Sequence, residues 1–426
     1  MSAGPANKSK ESKSRVEKSK LVPDSSVHLD AIRGLAALTV FISHSRMIFL
    51  KSGLRNALTG SADEPVLADH RGTIFQDHFR LTSLLSGHQS IGRFAVIIFF
   101  VLSGYFVGGS VLRDQRRNQF SWAGYTLQRM TRLWVVLLPA LLLTLFLDFG
   151  GAHWFASPQN IYHNPASPYG AILDQRLTTS AFFGNLFFMQ GIVTPTFGTN
   201  EPLWSLSYEF WFYLFFPLLL TAVLPLKRLG VRLASGLLFC ALLAFCGWSL
   251  AAYFALWGCG VLAALLPLRL STRAVRFLLP IGILAMAAAM LALLKAHIWR
   301  FAGDMLLGIV FTCVLWMTLH LRGATVGRFY RALAQGSSKI SYTLYLVHFP
   351  LLLFFSAMVY PVWNLRDFST ASLASLFAID LIVLTAACGM YFCFERNTGR
   401  VRNLFGSLAG RPAADPPPAL SPVAPR

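Results

Sequence analysis

Arg33 and His44 stand in the first apolar segment with ten residues between them. Eleven helical steps of about 100° come back to within about 20° of the starting direction, so both side chains project from one stripe, about 16 Å apart along the axis. This puts a cation at a membrane surface and an imidazole near mid-span, and ionisable groups at such depth are costly enough to imply a use. An imidazole in that position can take a proton from a hydroxyl or carry an acyl group. Asp30, one turn before Arg33 on the same side, reads as an interfacial ion pair or as support for the cation.

Four more stretches hold candidate groups. The segment Phe99 to Phe106 contains Ser103, Gly104 and Tyr105, which suit close helix packing or a narrow lined passage. Arg129 and Arg132 lie a turn apart at the start of an apolar run, after Arg113, Arg116 and Arg117. Their sign fits a topogenic role, and their planar forks also fit phosphate oxygens. Glu209 follows Trp204 and Ser207 in the stretch Leu203 to Tyr213. It lies about 9 Å inside its helix, and if that helix enters from the side opposite to His44, the carboxylate could orient or charge the imidazole. His348 falls about 13 Å beyond Lys339, where Pro350 frees nearby carbonyls and allows a purely structural role. His70, His78, His88, His153 and His163 fall in loops without metal-ligand spacing, so no metal site is expected.

Such groups need a membrane scaffold to position them. The chain has 426 residues, 55% hydrophobic and 13% charged, with mean hydropathy +0.55; soluble domains carry roughly 25% charged residues. Apolar runs at 34–50, 91–112, 133–149, 203–226, 234–248, 250–268, 277–294, 301–321, 340–360 and 371–394 predict an all-α, polytopic bundle of about ten transmembrane helices. With both termini cytoplasmic, 27 of the 37 Lys and Arg fall in or beside cytoplasmic segments. The net charge of +19 therefore records topology and not a nucleic-acid partner. All six cysteines fall in predicted spans without metal-type pairing and read as small packing residues.

The predicted organisation is a disordered basic cytoplasmic tail over 1–27, a membrane domain over 28–400 and a Pro/Ala-rich disordered tail over 401–426. The N-terminal segment lacks the pattern of a cleaved signal peptide. Long loops at 51–90 and 150–202 are expected to shape the surface that meets an acceptor.

Five motifs together resemble the acyltransferase-3 family of integral membrane O-acyltransferases. They are Leu-Asp-x-x-Arg-Gly with Arg33 and His44, Phe-Phe-Val-Leu-Ser-Gly-Tyr, the Arg129/Arg132 pair, Leu-Trp-Ser-Leu-Ser-Tyr-Glu and Ser-Tyr-x-Leu-Tyr-Leu-x-His. The exit Phe394-Glu395-Arg396 is similar to that family's ending. The resemblance implies location in the cytoplasmic membrane and transfer of an acyl group, commonly acetyl, from cytoplasmic acyl-CoA to hydroxyls of an extracytoplasmic or lipid-linked saccharide. It implies acyl-CoA as a substrate and no tightly bound cofactor. The family's arginine and histidine carry over to Arg33 and His44, its membrane glutamate to Glu209 and its juxtamembrane arginines to Arg129 and Arg132. His44 and Glu209 are then expected to be catalytic and the three arginines to bind the donor, and the residues themselves suggest Ser103 and Tyr105 as lining its path. Asp30, Trp204, Ser207 and His348 become substrate-side or supporting residues. Membrane lipid and a glycan are the expected partners, with a homo-oligomer or a polysaccharide-assembly partner left open. The chain departs from some members in lacking a soluble hydrolase-like domain and in its longer 51–90 loop.

On physics alone, a proton-coupled transporter of an acyl group or saccharide would also use intramembrane His and Glu. The arginine cluster on the cytoplasmic face separates the two, because a CoA enzyme needs it and a sugar carrier does not. A purely structural membrane protein gives no reason for Arg33 and His44 to share a face.

Overall fold

The protein, seen here as a computed structural model, is described over residues 24–50, 90–165, 167–266, 270–295, 300–321, 326–367 and 369–408. It is all-helical: α1 (Asp24–Phe49), α2 (Ile91–Arg116, with a π-helical turn at Gly104–Gly108), α3 (Trp122–Trp154), α4 (Gly170–Arg176), α5 (Thr179–Leu186), α6 (Leu203–Val223), α7 (Leu229–Leu265), α8 (Thr272–Lys295), α9 (Arg300–Leu319), α10 (Arg328–Val359), α11 (Thr370–Cys393) and α12 (Thr398–Leu408). Among the described residues nine helices are long and apolar enough to cross a membrane. The chain is a multi-pass integral membrane protein.

The fifth and sixth expected spans are the two arms of α7. Gly247, at φ 81° and ψ 175°, breaks the helix. Phe239 and Phe254, about 22 Å apart on a continuous helix, have ring centres 6.1 Å apart. The chain therefore folds back on itself. The first arm runs antiparallel to α6, with Phe239 on Phe215 and Phe245 on Trp211, whereas the second runs parallel to it, with Tyr253 on Tyr208 and Trp257 on Phe216. Each arm of about 18 residues is close to bilayer thickness.

Both tail boundaries need correction. Asp24 to Val27 form the first turn of α1, and residues 398–408, placed partly in the disordered tail, form α12 against α3. The first proline after Thr398 is Pro412, beyond the end of this helix. Residues 1–23, 51–89 and 409–426, which hold the rest of the tails and most of the first long loop, lie outside the described residues. Of the cysteines only Cys246 is buried, while Cys240, Cys313 and Cys393 are exposed, so core packing does not account for all six.

Prolines inside helices leave carbonyls without a helical donor, and at Pro217 and Pro350 neighbouring elements supply one. The Tyr213 carbonyl, freed by Pro217, accepts from Tyr125 Oη at 2.9 Å. The Leu346 carbonyl, freed by Pro350, accepts from Asn200 Nδ2 at 2.8 Å. These bonds tie α3 to α6 and the 155–202 segment to α10, and satisfy groups that lipid cannot.

Candidate active site

The site is built on α1 and α10, which run parallel in register. Gly34 lets them touch, since a Cβ there would lie 2.0 Å from Ser337 Oγ. At one end Ser338 Oγ donates to Asp30 Oδ1 at 2.9 Å and accepts from Arg33 at 3.4 Å, and Arg33 stands 3.9 Å from Asp30. Asp30 thus both pairs with and positions the cation. At the other end His44 Nδ1 meets His348 Nε2 at 2.8 Å. The two ring planes are within 7° of parallel and their centres are 5.2 Å apart, which fits rings joined edge to edge through that bond. His348 is fully buried, and its Nδ1 lies 2.9 Å from the Leu344 carbonyl.

His348 is therefore the direct partner of His44, a place that sequence depth assigned to Glu209. The hydrogen bonds of Glu209 go to Ser103 Oγ at 3.1 Å and to Tyr213 Oη. Depth along two helices says nothing about which faces meet, and α10, not α6, lies beside this part of α1. His348 is also not taken up by the proline-freed carbonyl, which Asn200 satisfies. The imidazole of His44 lies five residues from the end of α1 at Phe49 and twenty from its start at Asp24, so it is off the middle of the helix, which starts ten residues before the expected 34–50 span.

Between the two ends lies a cavity of about 120 Å³, lined by Arg33, Arg129, Arg132, Ser103, Glu209, Tyr213 and Tyr345 among others. Ser103 links its wall to α7 by accepting from Trp257 Nε1 at 3.2 Å. That contact needs close backbones: Cβ atoms on Gly104 and Gly260 would fall 2.0 Å from the Trp257 carbonyl oxygen and 1.9 Å from that of Val101. Glu209 is the carboxylate that lines the cavity with the three guanidiniums, while Asp30 pairs with Arg33 and the charge of Glu395 acts on Arg132 from outside the lining. Arg33 also covers the Phe106 ring at 4.8 Å, and Arg129 lies between Tyr125 and Tyr213 and donates to Ser110 Oγ at 3.3 Å. Arg132 makes no hydrogen bond or ion pair among the described residues, and Arg129 Nε is buried without a partner. Tyr345, held by Ser205 Oγ at 2.6 Å, lines the cavity and packs against His348 at 6.0 Å between ring centres, so one side chain separates the cavity from the histidine pair.

Other sequence candidates fall away from this line. Tyr105 is buried against Phe106 and does not line the cavity. Trp204 packs edge-on against Phe100 and Tyr208. Ser207 Oγ donates to the Phe188 carbonyl at 2.8 Å and anchors the loop before α6. Sequence reasoning missed Arg93 and Asp304, a buried pair at 3.0 Å joined by Tyr253, which binds α2, α7 and α9. It also missed Asp380, which accepts from Ser45 Oγ at 2.6 Å, and Glu395, which accepts from the Thr343 amide at 3.2 Å. Their signal was an acid within or ending an apolar run.

The 155–202 segment caps the histidine end. Gly198, at φ +56°, brings the chain over Asp148, whose carboxylate accepts from the Thr199 amide at 2.7 Å. Asn160 Nδ2 donates to the Ala357 carbonyl at 3.1 Å. Tyr169 packs on Phe349, which meets the His44 ring edge-on. Burial, and then the charge of Glu201, raises the Tyr169 phenol above its ordinary range, so it stays protonated.

A family model described as an acyltransferase domain matches residues 27–394. The chain belongs to the acyltransferase-3 family. This membrane acyltransferase is 29% identical over 279 residues to a protein of Komagataeibacter xylinus named "Putative membrane-bound transacylase BcsY", an overlap of 61% of this chain and 66% of that protein. It thus spans just under two thirds of that relative's length. No solved structure matches.

Proposed function

We propose that this acyltransferase takes an acetyl group from cytoplasmic acetyl-CoA and places it on a hydroxyl of a saccharide, lipid-linked or on the far side of the cytoplasmic membrane. The observation that carries this reading is the set of three guanidiniums on one cavity, of which Arg132 makes no hydrogen bond or ion pair among the described residues. Guanidiniums that keep N–H donors unused by the protein suit an anionic ligand, and Arg forks suit phosphate oxygens. The donor's phosphates would lie against Arg129, Arg132 and Arg33, with the arginine end of α1 facing the cytoplasm. The rise of about 16 Å from Arg33 to His44 is comparable to an extended pantetheine arm, which would pass Ser103, Glu209 and Tyr345.

His44 then serves as base toward the acceptor hydroxyl or carries the acyl group. Glu209, bonded to Ser103 and Tyr213, shapes the passage and balances the arginines. The 155–202 cap provides the acceptor surface. The relative's name, a membrane-bound transacylase, agrees with transfer between bound partners.

The test is release or transfer of labelled acetyl from acetyl-CoA by purified protein, with CoA binding measured alongside. Wild type should turn over, His44→Ala should bind CoA without turnover, and Arg132→Ala should bind weakly. Well-folded wild type that neither binds CoA nor turns it over would favour a carrier of the acyl group or saccharide and would sink this reading.

A further inference from the structure

One bond around the histidine pair determines the others. The Leu344 carbonyl can only accept, so His348 Nδ1, 2.9 Å away, carries a hydrogen. In a neutral imidazole this leaves His348 Nε2 with its lone pair. The hydrogen in the 2.8 Å contact then belongs to His44 Nδ1, an assignment that follows from the network. The remaining lone pair is on His44 Nε2, which makes no hydrogen bond among the described residues. His348 is held for this role on several sides: Phe41 and Phe349 meet it edge-on at 6.1 and 6.2 Å, and Tyr345 packs at 6.0 Å.

We infer that His348 is a positioning residue of the transfer reaction, which acts through His44 by holding it as the Nδ1–H tautomer with Nε2 free for the reacting atoms. The inference rests on the reading of His44 as the reacting residue. In direct transfer the acceptor O–H bond breaks as Nε2 takes the proton, and the oxygen bonds to the thioester carbonyl carbon. The carbon–sulfur bond breaks, and the proton passes from Nε2 to the departing thiolate. While Nε2 holds the proton His44 is a cation, and its Nδ1–H bond to His348 becomes charge-assisted. In this relay a backbone carbonyl stands behind the second imidazole, where hydrolases of the Ser-His-Asp type place a carboxylate behind the first.

The test uses the full-length chain with nitrogen-labelled histidine in bilayers, and His44→Gln assigns the His44 signals. Nitrogen NMR should show wild-type His44 protonated at Nδ1. His348→Phe should lose that signature, and His348→Gln, whose side-chain oxygen can accept the same hydrogen, should keep it. With acetyl-CoA as probe, His348→Phe should lower kcat about a thousandfold with KM within about twofold, and His348→Gln should recover to within about tenfold of wild type. CoA binding by each variant checks that it folds. Wild-type His44 protonated at Nε2, or His348→Phe turning over within about tenfold of wild type, would overturn the inference. If His44→Ala is inactive while His348→Phe is active, only this inference fails; activity in His44→Ala removes the reading of His44 beneath it.

Discussion

The two ends of the site are built on opposite plans. At the histidine end three of the four ring nitrogens are engaged within the protein, the rings are fixed by aromatic edges, and a folded cap lies above. At the arginine end Arg132 makes no hydrogen bond or ion pair among the described residues, and Arg129 Nε is buried without a hydrogen-bond partner among them. A reacting group gains from being fixed before substrate arrives, whereas a binding group must keep its hydrogen-bonding capacity for the ligand. The contrast separates the end where chemistry is expected from the end where the donor is expected to bind.

Four substitutions would break or sharpen the contrast. His44→Ala should lower turnover at least about a thousandfold while CoA affinity stays within about threefold; an equal fall in affinity would mean that the ends are not separable. Arg132→Gln should do the reverse, with KM for the donor raised about 10- to 100-fold and kcat little changed, as steady-state kinetics would show. Asn200→Ala acts on neither end directly. By stranding the Leu346 carbonyl it should cost about 1–3 kcal/mol of stability, read as a lower melting temperature in detergent. Ser338→Ala removes the bridge between Asp30 and Arg33 and should change stability by about 1 kcal/mol and donor KM by less than about threefold, the smallest effect of the set.

Much of this was legible from residue types. Hydropathy located the spans, because apolar runs of bilayer length have few alternatives. The Arg33–His44 stripe followed from helix geometry, and Arg129, Arg132, Ser103 and Glu209 all line the same cavity as Arg33. The order of helices around the bundle was not legible. His44 and Glu209 could be set at similar depths, yet which face of which helix His44 meets depends on packing between segments hundreds of residues apart. The same limit hid the Arg93–Asp304 pair, whose members each read as an ordinary residue near a helix end. The π-helical turn in α2 was hidden too, since it depends on the Gly104–Gly260 contact with α7. Gly247 explains the remaining difference: two runs separated by one residue looked like two spans, and the backbone makes them one helical element folded at a glycine.

The histidine pair joins residues 304 positions apart, and α10 is among the last helices to be made. During synthesis α1 enters the membrane with its imidazole unpartnered and waits while nearly three quarters of the chain is still to be translated. A nascent or prematurely terminated chain that stops before position 348 can insert most of its helices without assembling the pair. A chain that ends before His348 therefore carries His44 without the imidazole that meets it in the finished fold.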